Sequence, residues 1–443
     1  MNRAFALMIL SAFSTTARAE SPSITLPQMV TMDEALRVFR ASGFDVLLAE
    51  AQIQAAEADL RTARSVPNPT LNGGVGKSFN YDPKAACLNS TTNTVESGCS
   101  DISWTVGISD SAALADTVFG KRHLRIRVAK AALAAAKMTR VDAQRTLEFQ
   151  VKQQYIQAVL AHDTLDFSRE VQAAMTQVFE LNQVRYNAGA ISEADVAKVE
   201  TAKLEADQDV NRAQQALHDA KVELAFLLGV RGRTPEFHIE QDLPKFVVPA
   251  PLADTSLDKL LADANEHRAD LKAASLQVER AEVSISAARR QNAPDLALSA
   301  QYQQEGSSSS AITPPTLSFG LSAPFPLFYQ FQGEIRRAEA DRNIQNLTRA
   351  KLEGQVVADV ESALVDFTST RERVERQESR LLDRAKRARD LIQLQYQKGA
   401  ASLLEYLDAQ RTFIAANQEH LQDLANYWIA VFHLEQAIGK ELR

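Results

Sequence analysis

Residues 186–200, YNAGAISEADVAKVE, and residues 396–410, YQKGAASLLEYLDAQ, carry the same three chemical groups at the same spacing. Tyr186 and Tyr396, Gly189 and Gly399, Asp195 and Glu405 each stand 210 residues apart. Carboxylates such as Glu405 and Asp408 balance the dipole of a helix start or, clustered, attract cations, and their positions alone leave both roles open. Groups that would carry other chemistry are dispersed. The seven histidines (His123, His162, His218, His238, His267, His420 and His433) show no i, i+4 pairing, and neither a nucleophile elbow nor a phosphate loop is present. No catalytic residue, cofactor or metal site is therefore expected.

Cys87 and Cys99 are the only cysteines, twelve residues apart in the polar segment CLNSTTNTVESGC. In an exported chain this spacing favours a disulfide over two free thiols, worth roughly 3 kcal/mol for a loop of ~15 residues. Export is itself expected. MNR is a short positive start, AFALMILSAF an apolar run and ARA a small-x-small cleavage site, so residues 1–19 read as a signal peptide. Loss of Arg3 and Arg18 takes the net charge from −7 to −9. No later apolar run has the length of a membrane-spanning helix. The acidic balance, with no basic patch interleaved with aromatics, argues against nucleic acid.

The repeated turn belongs to a duplicated chain. Gly229 and Gly439 are also 210 apart, Pro69 and Pro294 225, Gly107 and Gly320 213. The first copy thus holds about a dozen extra residues between Pro69 and Gly107, where the cysteines lie. Residues 20–230 form the first copy, 231–256 a Pro-rich linker and 257–443 the second. Each reads as helix, two strands, long helix, turn and helix. The helices over 32–64 and 257–291 are capped by Thr31 and Ser256. The long helices span 121–187 and 334–397, and Val360, Phe367, Val374, Leu381 and Ala388 form a heptad seam in the second. Some 64 helical residues reach roughly 95 Å. Shorter helices stacked end to end would match that length, and Gly189 and Gly399 are placed to reverse the chain at helix ends.

Four segments alternate with period two: 70–79, 102–108, 296–302 and 317–323. Their apolar members include Leu71, Val75, Trp104, Val106, Leu298, Tyr302, Phe319 and Leu321. Such a face covers a soluble core or meets lipid. Four strands cannot close a barrel alone, so lipid contact requires oligomerisation.

The duplicated strands and long helices, the signal peptide and the doubled Tyr-x-x-Gly…[Asp/Glu] turn together resemble the outer-membrane efflux factor family of TolC-like proteins, over nearly the whole mature chain. FGKRHLRIRVAKA (119–131) and FPLFYQFQGEIRRAEA (325–340) resemble its heavy-metal cation branch. The resemblance implies a mainly α fold with transmembrane β structure: a homotrimer with one 12-stranded β-barrel in the outer-membrane lipid and a long coiled-coil α-helical barrel in the periplasm. The linker and the C-terminal residues would form a belt at mid-height. It implies a passive duct serving a periplasmic adaptor and an inner-membrane pump of RND type, for heavy-metal cations. Multidrug efflux or type I secretion is the alternative within the family, and a pore-less periplasmic coiled-coil scaffold the alternative outside it. By position, Asp195 and Tyr396 would lock the periplasmic mouth, Glu405 and Asp408 would ring it, and Tyr186, Gly189 and Gly399 would shape the hairpin tips. Ala401 stands where some members carry a lock arginine, and Lys198 departs from a purely acidic ring.

Overall fold

In the computed structural model, residues 26–442 are described except 80–81, 83–87, 90, 96–100, 111–112, 241, 254–255 and 306–314. The expected signal peptide and the Cys87–Cys99 pair lie outside the described residues.

In chain order the elements are β1 (Met29–Val30), α1 (Met32–Ser42), α2 (Phe44–Arg64), β2 (Thr70–Lys77), β3 (Leu88–Asn89), β4 (Thr94–Val95), β5 (Ile102–Ser109), α3 (Ala113–Val118), α4 (Lys121–Asn187), α5 (Glu193–Leu227), β6 (His238–Ile239), α6 (Leu257–His267), α7 (Ala269–Arg290), β7 (Ala297–Glu305), β8 (Thr316–Ser322), α8 (Gln332–Arg376), a π turn (Gln377–Leu381), α9 (Leu382–Gln397) and α10 (Leu403–Ile438). The first long helix has the bounds its sequence predicts. Thr31 Oγ1 and Ser256 Oγ cap α1 and α6 by accepting from Glu34 N and Lys259 N.

Three expected continuous helices are interrupted. The helix over 32–64 breaks at Gly43, whose extended ψ ends α1. The helix over 257–291 breaks at Arg268, also extended, whose guanidinium is drawn into a buried ion network. The helix over 334–397 is interrupted by the π turn. Above that turn Val360, Phe367 and Val374 are buried as the heptad requires. Leu381, the last residue of the turn, is 46% exposed and Ala388 beyond it is exposed, because the turn inserts one residue and rotates the helix that follows.

The shorter helices stack end to end beside the long ones. The end of α5 abuts the start of α2, where Ser42 Oγ donates to Leu228 O and the Phe44 and Phe226 rings lie 6.3 Å apart. The end of α10 abuts α7, where Arg268 donates to Ala437 O. At this mid-length level the largest core gathers Val30, Phe39, Ile156, Leu224, Ile239, Leu260, Phe367, Tyr427 and Ile438. The linker is tied into it. β6 pairs in parallel with β1, Trp428 Nε1 donates to Pro244 O, and the Tyr427 hydroxyl donates to Val247 O. Burial pushes the Tyr427 phenol up to about 12.

β2, β5, β7 and β8 form one antiparallel sheet in that order, leaving β2 and β8 as open edges.

Candidate functional site

The two reversals are built alike, down to their hydrogen bonds. Gly189 N donates to Tyr186 O and Ala190 N to Arg185 O; Gly399 N donates to Tyr396 O and Ala400 N to Gln395 O. Both glycines hold a left-handed φ (72° and 78°) that a β-carbon would strain, so each closes its long helix and turns the chain back. The next helix then starts with a side-chain cap. Ser192 Oγ accepts from Asp195 N and donates to the Asp195 carboxylate. Ser402 Oγ accepts from Glu405 N, while the Glu405 carboxylate accepts from Ser402 N at 2.7 Å, a complete capping box.

Asp195 and Glu405 are therefore the same structural residue in the two copies. Hydrogen bonds from Ser192 and Lys198 hold the Asp195 carboxyl below the usual range, and the Ser402 amide and hydroxyl do so for Glu405. Asp408, one turn on, is exposed. Lys198 pairs with Asp195 at 3.3 Å.

The tyrosines differ. Tyr186 is 39% exposed, whereas Tyr396 is buried. The Tyr396 hydroxyl donates to Asn182 Oδ1, and Asn182 Nδ2 donates to Val178 O, so this fully buried amide is satisfied on both sides. Tyr396 also stacks on Tyr406 at 5.2 Å, and the Arg185 guanidinium lies 5.0 Å from its ring while bonding to Tyr396 O and Gln397 O. Burial pushes the Tyr406 phenol up to about 12. Tyr396 and Asp195 thus have different partners within the chain: Tyr396 joins the second hairpin to the first through Asn182 and Arg185, and Asp195 caps its own helix. Ala401 packs beside this cluster. The repeat comparison does not point to Asn182 or Arg185, although an asparagine in an otherwise apolar helix seam (Val171, Met175, Val178) is a visible irregularity.

At the other end, the sheet separates its faces. Register places Leu71, Val75, Ile102, Trp104, Val106, Ile108, Leu298, Ala300, Tyr302, Leu317, Phe319 and Leu321 on one face. Asn72, Gly74, Gly76, Ser103, Thr105, Gly107, Ser299, Gln301, Gln303, Ser318 and Gly320 lie on the other. The apolar face is open, with Phe319 79% exposed and Val75 82%. Trp104 and Tyr302 pack at 5.5 Å across it. Among the described residues no helix is long and apolar enough to cross a membrane, and no group of three or more His, Cys, Asp or Glu side chains could hold a metal ion.

A family model described as outer membrane efflux protein matches residues 36–230 and 260–440, one stretch per copy. The pyoverdine export outer membrane protein OpmQ of Pseudomonas aeruginosa is 26% identical over 88% of this chain and 81% of its own length. The cobalt-zinc-cadmium resistance protein CzcC of Cupriavidus metallidurans is 22% identical over 93% and 90%. Among solved structures, the outer membrane protein VceC of Vibrio cholerae superposes with a TM-score of 0.72 at 19% identity, over 93% of this chain and 97% of that one.

Proposed function

The chain belongs to the outer membrane efflux protein family, and from that premise we propose that three copies form the exit duct of a tripartite pump. It is an efflux channel of the outer membrane with its helical part in the periplasm. The observation that carries the reading is the sheet: an exposed apolar face, a polar face rich in glycine and serine, and two open edges. Open edges and an apolar face are untenable in lipid unless each edge meets another sheet. Three copies give twelve strands, enough to close a barrel with its polar face towards the lumen. A pore-less scaffold would instead cover this face. Each copy then contributes two hairpin tips, so six tips ring the periplasmic mouth, and passage is passive. Energy and cargo selection come from an inner-membrane pump of RND type and a periplasmic adaptor.

For the cargo, heavy-metal cations are the reading we favour. It is supported by the similarity to CzcC over nearly the whole chain and by the two heavy-metal-like motifs, 119–131 and 325–340. The similarity to OpmQ favours a siderophore as the second reading. A cell deleted for this chain should accumulate zinc, cobalt or cadmium under metal stress, and re-expression should restore export. Normal metal content with retained siderophore would decide for the second reading. The purified protein should run as a heat-resistant trimer, require detergent for extraction and conduct in planar bilayers; a monomer released without detergent would overturn the duct itself.

A further inference from the structure

Buried residues along α8 and into the π turn recur with alternating spacings of four and three: Val356, Val360, Ala363, Phe367, Thr370, Val374 and Gln377. Continued as an α-helix, the inward positions would be 381, 384, 388, 391 and 395. The inward positions are instead Leu382, Ala385, Arg389, Ile392 and Tyr396, each one residue later. The π turn over Gln377–Leu381 absorbs the extra residue, and one residue corresponds to about 100° of rotation about the helix axis. The first long helix has no such insertion: it is α-helical from Lys121 to Asn187, with Val171, Met175, Val178 and Asn182 buried. Its next seam position is 185, so Tyr186 falls one residue late and stays exposed. Without the π turn Tyr396 would fall one residue late in the same way.

The π turn is held by a polar contact with a flaw. Gln377 is buried, and its Nε2 donates to the buried Asp423 Oδ2 at 2.7 Å, with Arg373 3.6 Å from the same carboxylate. The Gln377 Oε1 is buried without a hydrogen-bond partner, which weighs against this arrangement. The sequence also furnishes a second seam. Leu381 and Leu391, 46% and 54% exposed, and Ala388 stand at the inward positions of an uninterrupted helix, and Gln395 would then face Asn182 in place of Tyr396. A glutamine amide can donate to Asn182 Oδ1 as the phenol does, so both registers satisfy that buried acceptor. In the present register Arg389 lies over Phe413 at 4.0 Å, a contact the other would exchange for Ala388.

We infer that the π turn is a register switch for the periplasmic mouth, an inference that rests on the hairpin tips being the gate. With the extra residue held at Gln377–Leu381, α9 is phased so that Tyr396 reaches Asn182 and the two hairpins of a copy are joined. When the turn relaxes to α-helix, α9 rotates by about 100°, withdraws Tyr396, presents Gln395 to Asn182 in its place and so reorients the tip of the second hairpin against the first. The element is bistable because each register turns inward a mainly apolar seam with one arginine in it, Arg389 now and Arg384 in the other, and satisfies the same polar group, as a gate requires.

Deletion of Ser379, an exposed residue of the π turn, tests this. The shortened helix is regular and keeps the same inward residues, so only the Tyr396 register remains. Trimer formation and membrane insertion should be retained, while channel opening and export are lost. In the full-length chain, an Asn182→Cys, Tyr396→Cys pair should crosslink in the resting channel and an Asn182→Cys, Gln395→Cys pair should not. The second pair should begin to crosslink when the channel is assembled with its energised pump, and it alone decides the matter should the deletion variant not assemble. Wild-type export by an assembled deletion variant, or failure of the 182–395 pair to crosslink in the energised complex, would overturn the switch. A parent protein that neither conducts nor exports would instead overturn the duct.

Discussion

Arg268 is 4% exposed, and its guanidinium is spent on three acceptors: Asp270 at 2.7 Å, Asp359 at 3.0 Å and the carbonyl of Ala437 at 3.2 Å. It thereby welds the end of α10 to the α6–α7 junction and α8. Burial pushes the Asp270 carboxyl upward, but the hydrogen bonds and charge of Arg268, with Arg145 behind it, outweigh burial, and the net position is below the usual range. A carboxyl lowered in the folded state stabilises the fold above its unfolded pKa, near 3.9, and that contribution is lost as pH falls through the folded value. The helical part should therefore hold its thermal midpoint down to about pH 4 and lose it below, and Asp270→Asn should flatten that acid limb. Arg268→Met leaves the partly buried Asp270 and the more exposed Asp359 without their shared partner and should cost about 1–3 kcal/mol, read as a lowered midpoint at neutral pH. An unchanged midpoint would mean that the network is idle. The tip residues divide on the same grounds. Tyr396→Phe removes the phenolic donor to Asn182 Oδ1 and should raise conductance, whereas Asp195→Asn loosens a helix start and should leave conductance near that of the wild type. A rise for both, or for Asp195→Asn alone, would make Asp195 a lock residue.

Elements were legible in the sequence where one local signal decided them. The bounds of α4, the left-handed glycines at 189 and 399, the caps at Thr31 and Ser256 and all four long strands are set by residues within a few positions of the feature. The breaks at Gly43 and Arg268 depend on what the helix ends meet across the chain, and the π turn leaves the apolar periodicity readable in two phases. Val374, Leu381 and Ala388 look as regular as Val360, Phe367 and Val374. Only the packing of Tyr396 on Asn182 and Gln377 on Asp423 chooses between them. The sheet was the easier case, since a slip by one residue would reverse its faces. Arginine at Trp104, Phe319 or Leu321 should impair insertion by ~2–4 kcal/mol per subunit near mid-membrane, and arginine at Thr105 or Ser318 should be tolerated in the lumen. The measurement is the fraction of heat-resistant trimer recovered in outer membranes, and equal recovery from both faces would mean that the sheet does not meet lipid.

At the scale of the assembled duct, charge has to be counted over three copies. The chain is acidic, and Glu405 and Asp408 would bring six carboxylates to one narrow opening. Glu405 is engaged by the amide and hydroxyl of Ser402, which keeps it ionised while fixing it at its helix start; Asp408 is exposed one turn above. Lys198 is neutralised by Asp195 and so subtracts little from the ring. Like charges gathered at a constriction raise the local concentration of cations, and added salt removes the effect as the screening length falls from ~30 Å at 0.01 M to ~10 Å at 0.1 M. The trimer should therefore prefer cations over anions, most strongly in dilute salt. Glu405→Gln retains a capping-box acceptor, so combining it with Asp408→Asn strips the charge without unravelling the tip. The double variant should assemble normally and show a reversal potential shifted towards zero under a salt gradient. An unchanged reversal potential would place the constriction elsewhere and leave Glu405 and Asp408 as helix-start residues.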